Sequence, residues 1–267
     1  MGKIMSSDVK VALGFLIFLV LLALSYPFLP YTYYEQDQNE VLVLFSKNHI
    51  LGTDDLGRDM LARVSYGIGV SLRVAFLASV IATILGAILG IISGWFGKSV
   101  DIIIMRFIDF FLAIPDIILI VLISFVVGRG EIAIAVAIAL GSWPSVARVV
   151  RGEVVKIKNA EFVESAIVLG NSTFGIIKKH IIPNIIPVVF TMLILRVPVA
   201  ILTESGLSFI GLGLQPPASS LGVLAEEGFR AISIYPRLII IPAFFISILV
   251  WSTNTVFGFI ASKLGRI

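Results

Sequence analysis

The sequence contains no cysteine. Disulfides, thiolate metal sites and cysteine nucleophiles are thereby excluded. Charge is scarce: Asp, Glu, Lys and Arg make up 14% of the residues, against roughly 25% in soluble domains. Histidine occurs only at His49 and His180. Neither stands in a metal-ligand spacing such as HExxH, so no metal site is expected and both read as surface histidines. Nothing resembles a paired acid–base cluster that a membrane enzyme could use. Gly97-Lys98-Ser99 echoes the end of a phosphate-binding loop, but Ile92 stands where its first glycine belongs. The basic residues have no aromatic interleaving and flank apolar runs, which excludes a nucleic-acid face.

Hydrophobicity is what the chain has in excess. Apolar residues reach 58% and the mean hydropathy is +1.06. A protein core cannot absorb that much, so membrane lipid must. The apolar runs are continuous rather than alternating, which argues against a β-barrel. The expected fold is an all-α polytopic membrane protein with six transmembrane helices in one domain over 1–267. The spans are expected at about 11–29, 70–95, 102–127, 131–147, 185–202 and 238–260. The first run is longer than a signal-peptide core and reads as a retained span. No segment outside the spans is long enough to bury a core of its own.

Lysine and arginine set the orientation. With the N-terminus inside, the inner segments hold Lys3, Lys10, Lys98, Arg148, Arg151, Lys156, Lys158, Lys178, Lys179, Lys263 and Arg266. The outer segments hold Lys47, Arg58, Arg63, Arg129, Arg230 and Arg237. The bias predicts cytoplasmic N- and C-termini, an extracellular segment at about 30–69, and a cytoplasmic segment at about 152–184.

Lipid gives helices no hydrophobic reason to associate, so close approach through small residues must do so. Gly86, Gly90 and Gly94 share one face of the second span. Ala133, Ala137, Gly141 and Ser145 repeat at the same spacing in the fourth. Charges in the spans are costly and must face protein or water. Arg106 and Asp109, one turn apart, read either as an ion pair anchoring the third span or as a wall of a path through the membrane. Asp116, after Pro115, and Glu204 raise the same choice. Pro115 and Pro198 are expected to kink their helices.

The polar island at Asn159–Pro187 predicts an L-shaped pair of short helices. Glu161 and Glu164 lie early in the first, where the helix dipole favours acids. Gly170 is suited to end it. Ser172 can cap the second, over Thr173–His180, and Pro183 is expected to stop it. Ser165, Ala166 and Gly170 are small residues that would let another protein's backbone approach the corner. A basic loop on the inner membrane surface fits the composition equally well.

The order of motifs resolves that choice by resemblance. Glu164-Ser165-Ala166, then Gly170, then Ile182-Pro183 resembles the EAA loop of ABC importer permeases. Leu51-Gly52-Thr53-Asp54-Asp55-Leu56-Gly57-Arg58-Asp59, with Arg63, Tyr66-Gly67 and Val70-Ser71-Leu72, resembles the opening signature of the dipeptide/oligopeptide/nickel type, and within it the second, C-type permease. Trp143-Pro144, Val150-Arg151-Gly152-Glu153, Leu207-Ser208-Phe209-Ile210-Gly211-Leu212-Gly213 and Gln215-Pro216-Pro217 follow in the family's order. Ser165 stands where the family has alanine, and Ser252–Gly258 departs from its Asn-Leu-x-Gly-Asp-like run.

The resemblance implies a type I ABC importer fold in the cell (cytoplasmic/inner) membrane and no catalytic residue in this chain. It implies half of a translocation path for di- or oligopeptides, with nickel, nickel chelates or oligosaccharides as alternatives. The implied partners are a second permease subunit (a heterodimer), two ATP-binding subunits carrying ATP and Mg, and an extracellular substrate-binding protein. Glu161, Glu164, Ser165, Ala166, Gly170 and Pro183 would couple to the ATPases. Arg106, Asp109, Asp116 and Glu204 are the path or gate residues to consider. Asp54, Asp55, Arg58 and Asp59 are either an extracellular docking surface or a capped turn. An ion-coupled carrier acting alone, with Asp109, Asp116 and Glu204 as ligands, is the reading from another class.

Overall fold

A computed structural model describes residues 6–128 and 130–264. Lys3, Arg129 and Arg266, used above for orientation, lie outside the described residues. The described chain is helical apart from loops and one isolated bridge between Thr53 and Asp59. Five of its helices are long and apolar enough to cross a membrane, or up to six if one bent pair is counted as a span.

The first span is α1 (Ser7–Ser25). Next comes α2 (Met60–Phe96), capped by Asp59, whose carboxylate accepts from Ala62 N–H at 2.7 Å. At 37 residues it is about 55 Å long, well beyond the ~30 Å of hydrocarbon in a bilayer. It therefore begins ten residues before the apolar run at Val70 and carries the outer signature into the helix. Gly97, at φ +61°, turns the chain into α3 (Lys98–Leu112).

The expected third span is not one helix. It consists of α3 and α4 (Asp116–Val127), bent by 93° at Ala113–Pro115. Pro115 has no N–H and disfavours helix in the residue before it. The helix stops there rather than kinking.

α5 (Glu131–Lys158) runs through Pro144 and continues eleven residues past the expected end of the fourth span. Arginine and lysine are good helix formers, so hydrogen bonding persists where the apolar run ends. α6 (Glu161–Val168) and α7 (Thr173–Ile176) make the elbow. A π turn at Ile177–Ile181 then leads directly into α8 (Ile182–Leu207). Pro183 does not stop the second elbow helix. It falls in the first turn of α8, where its missing N–H costs nothing. Another π turn, Ser208–Leu212, ends α8. The stretch between the expected fifth and sixth spans contains a further helix, α9 (Leu221–Arg230), before α10 (Arg237–Leu264). Ser220 caps α9. Gly222 and Gly228 let it lie directly on the backbone, since a Cβ there would come within 2.6 Å of Ser205 O and 2.3 Å of Leu238 O.

The glycine stripe of α2 lies on α5. A Cβ on Gly86 would sit 2.6 Å from Val146 Cβ, on Gly90 2.7 Å from Ala147 O, and on Gly94 2.8 Å from Val154 Cβ. The small face of α5 meets α4 instead: a Cβ on Gly141 would be 2.4 Å from Ile120 Cγ1.

Candidate functional site: the elbow, the outer cap and the membrane charges

The elbow is braced from within. Val150, Val154 and Ile157 of α5 and Trp95 of α2 form a core with Val163 and Ala166 of α6, Ile176 and Ile181. Lys158 donates to Trp95 O at 2.6 Å. Arg151 and Asp101 pair through two bonds of 2.6 and 2.5 Å, tying α5 to α3.

The corner is a Schellman motif. Gly170 N–H donates to Ile167 O at 2.9 Å and Asn171 N–H to Ala166 O at 3.2 Å. Gly170 takes φ +78°, which L side chains avoid. Ser172 then caps α7 by accepting from Gly175 N–H at 3.2 Å. Gly170 as a terminator and Ser172 as a cap were both legible in the sequence.

Ala166 is a correction. It turns inward, so it offers a partner nothing. Glu161, Glu164, Ser165, Gly170 and Pro183 are exposed. Beside them lies an apolar patch that periodicity did not reveal. Val168 is 85% exposed, Leu169 81% and Phe174 75%, joined by Ile167 and Phe162. Helix α6 is too short, at eight residues, to carry two apolar faces visibly apart in sequence.

At the outer end the expected docking residues are mostly spent internally. Asp54 Oδ2 accepts from Arg58 Nε at 2.7 Å and Arg63 Nη1 at 2.6 Å. Glu227 Oε2 of α9 accepts from the same two arginines at 3.1 and 2.6 Å. Asp54, Arg58 and Asp59 are buried, which corrects their reading as a docking surface; Asp55 alone of the four is exposed. They act as turn and cap, locking the outer segment to α9. Arg237 adds bonds to Val43 O and Thr53 O at 3.0 and 2.9 Å. Asp54→Ala would leave two buried guanidinium groups short of a carboxylate. It is expected to cost about 3–5 kcal/mol, measured as lost thermal stability of the purified subunit, with Asp54→Asn milder.

His49 is not a surface histidine. It is 2% exposed and packs against Tyr31 in a tilted ring pair with centroids 4.5 Å apart. Its Nδ1 lies 2.9 Å from Asp59 Oδ2 and its Nε2 2.7 Å from Glu40 Oε2. Carboxylates on both ring nitrogens call for a proton on each. Burial pulls its pKa down, but the bonds to Asp59 and Glu40 outweigh this and hold it above 6.5. A raised folded pKa stabilises fully below the unfolded value and is lost as pH rises through the folded one. Thermal stability is therefore expected to fall as pH climbs upward from about 6.5. His49→Gln should flatten that fall.

The membrane charges are placed differently from expectation. Asp109 does not pair with Arg106; it accepts from Arg148 of α5 at 2.5 Å. Arg106 is exposed. Glu204 is fully buried, accepting from Ser71 Oγ and Ser208 Oγ, each at 2.8 Å. It ties α2 to the end of α8 and does not front a path. Asp116 is exposed at the α3–α4 break, across a small cavity from Arg196. Arg196 was not singled out in the sequence.

Five helices of membrane-crossing length, a further pair broken at Ala113–Pro115, and a braced, exposed elbow define a membrane subunit with a surface suited to a soluble partner. The chain belongs to the family of binding-protein-dependent transport system inner membrane components, whose model matches residues 86–266. It is 38% identical over 241 residues to the dipeptide transport system permease protein DppC of Bacillus subtilis, spanning 90% of this chain and 75% of that one. It is 39% identical over 251 residues to the oligopeptide transport system permease protein OppC of Escherichia coli K12, spanning 92% and 83%. A chain of the MetNI methionine ABC transporter, in an inward-facing form, superposes with TM-score 0.60 at 18% identity, covering 74% of this chain and 94% of that one. That likeness concerns the fold. The chain is a multi-span inner-membrane permease and a transport component, not itself an enzyme. Family membership implies ATPase and binding-protein partners, which sets aside a carrier acting alone.

Proposed function

We propose that this chain forms one half of the path of a peptide importer, paired with a second permease and driven by two ATPase subunits that bind ATP and Mg. The observation that carries the substrate class is its similarity, at 37–39% identity over most of its length, to permeases of dipeptide and oligopeptide systems. The elbow supports the division of labour. It is rigidly braced to α5 and α2 yet presents Glu161, Glu164, Ser165, Gly170 and an apolar patch outward. Such a surface suits a soluble partner whose movement must reach the spans. With the elbow cytoplasmic, as the lysine and arginine bias requires, the outer cap faces the binding protein, and the exposed acids of that segment, Glu35, Asp37 and Asp55, are available to meet it.

The test is reconstitution of the four-part complex in vesicles with its binding protein. Uptake of a labelled di- or tripeptide that requires both ATP and the binding protein is expected. ATP hydrolysis without peptide uptake overturns the substrate class, and flux through the purified chain alone overturns the whole reading.

A further inference from the structure

The mid-membrane cavity between α2, α4, α5 and α8 is lined by Ser79, Asp116, Ser142, Arg196 and Thr203, with apolar walls from Ala78, Ile120 and Val199. Arg196 lies about 17 Å from the outer end of α8, and Asp116 about 17 Å from that of α4, at 1.5 Å per residue. Both therefore sit near the middle of a ~30 Å hydrocarbon layer. A charge at that depth does not face lipid. Yet Asp116 is exposed, and Val199, one turn from Arg196, is 58% exposed. This face is bare on the isolated subunit, so in the membrane it meets protein or water. The unwound Ala113–Pro115 stretch beside it leads to the same conclusion, because non-helical backbone at this depth occurs only where it is buried in protein or lines a cavity.

Arg196 is under-used. One Nη donates to Ser145 Oγ, while the buried Nε has no acceptor among the described residues. The neighbouring hydroxyls do not supply one. Ser79 donates to Ala75 O at 2.7 Å and Thr203 to Val199 O at 2.9 Å, each bonded within its own helix. An idle guanidinium donor off the aqueous phase is costly, and a carboxylate is the group its planar fork matches. The cavity measures about 50 Å³. That admits a carboxylate, not a peptide.

We propose that Arg196 is a specificity-determining residue of the translocation path. It takes the terminal carboxylate of a passing peptide into this notch, with Asp116 across the notch favouring the cationic end of the same or the next molecule. The inference rests on the peptide-importer reading and deepens it.

The experiment uses the reconstituted complex with its binding protein and compares a tripeptide with its C-terminal amide. Each variant's rate is divided by the wild-type rate for the same peptide, so that the binding protein's own preference cancels. Arg196→Gln is expected to lower uptake of the free acid at least ten-fold and of the amide less than two-fold, with Arg196→Lys retaining most of the free-acid rate. Thr203→Asp, which adds negative charge to the notch, serves if Arg196→Gln does not assemble. It too should depress the free acid selectively. Equal loss of both peptides in the variants that assemble overturns the assignment, as does no loss of either. Failure of the wild-type complex to move any peptide would instead overturn the function proposed above.

Discussion

Gly170→Trp is expected to lower transport by the assembled importer a hundred-fold or more, while the subunit still reaches the membrane in normal amount. Backbone strain and side-chain bulk act separately at this position. Gly170 sits at φ +78° with nothing within 4 Å of the position a Cβ would take. Any L residue there pays for the left-handed backbone, about 1–2 kcal/mol, and Gly170→Ala measures that cost by itself. The indole adds volume that meets only open space in this chain. Whatever Gly170→Trp loses beyond Gly170→Ala therefore reports a partner's surface. Leu169→Asp and Val168→Asp test the same contact from the apolar side. Both residues are more than 80% exposed, so a charge there should leave the subunit's own stability within about 0.5 kcal/mol while weakening ATPase attachment. Co-purification of the ATPase subunits and ATP-driven uptake, measured together, decide the matter. A Gly170→Trp complex transporting as well as wild type would remove the elbow from the coupling route.

Gly90→Leu is expected to prevent a stably folded subunit from accumulating. A Cβ at Gly90 would lie 2.7 Å from Ala147 O, 2.8 Å from Val150 Cβ and 3.0 Å from Arg151 N. Two of those atoms are backbone and cannot rotate aside. The helices must part, and Gly86 and Gly94, one turn either side, would lose their own close contacts with Val146 and Val154. Overpacking costs 1–3 kcal/mol in ordinary cores. Here about 3 kcal/mol or more is expected, because α2 and α5 also carry the brace under the elbow. Gly14→Ala in α1, where nothing lies within 4 Å, serves as the control and should be neutral or slightly stabilising. Gel-filtration profile and melting temperature in detergent provide the readout.

The elbow was the most legible part of the chain because its determinants are local. Ser172 as a cap and Gly170 as a terminator act through atoms within five residues of themselves, and the structure places both in those roles. The glycine face of α2 was legible for the same reason, since spacing four on one helix fixes one face. Which helix would fill it was not written there. The small face of α5 receives α4 at Gly141, while the opposite wall of α5, through Val146, Val150 and Val154, receives α2. The outer signature was readable as a family mark but not as a surface: Asp54 and Arg58 look solvated in sequence and are buried once Glu227, 169 residues beyond Arg58, arrives beside them. His49 and Arg196 gave no signal at all, because neither has a telling neighbour in sequence. Pro183 misled, since a proline stops a helix only when it falls after the first turn.

By itself, then, the order of residues determined the class, the lipid environment, the family and the bend of the elbow. Each of these rests on composition or on neighbours a few residues apart. Tertiary structure alone decided which charges are spent and which are left over. Glu204 and Asp109 are satisfied by partners far along the chain, and Arg58 and Arg63 join Asp54 to the distant Glu227, whereas Arg196 is left with an idle donor across a cavity from Asp116. That difference depends on distance in space, and the low dielectric of a membrane interior makes it matter energetically.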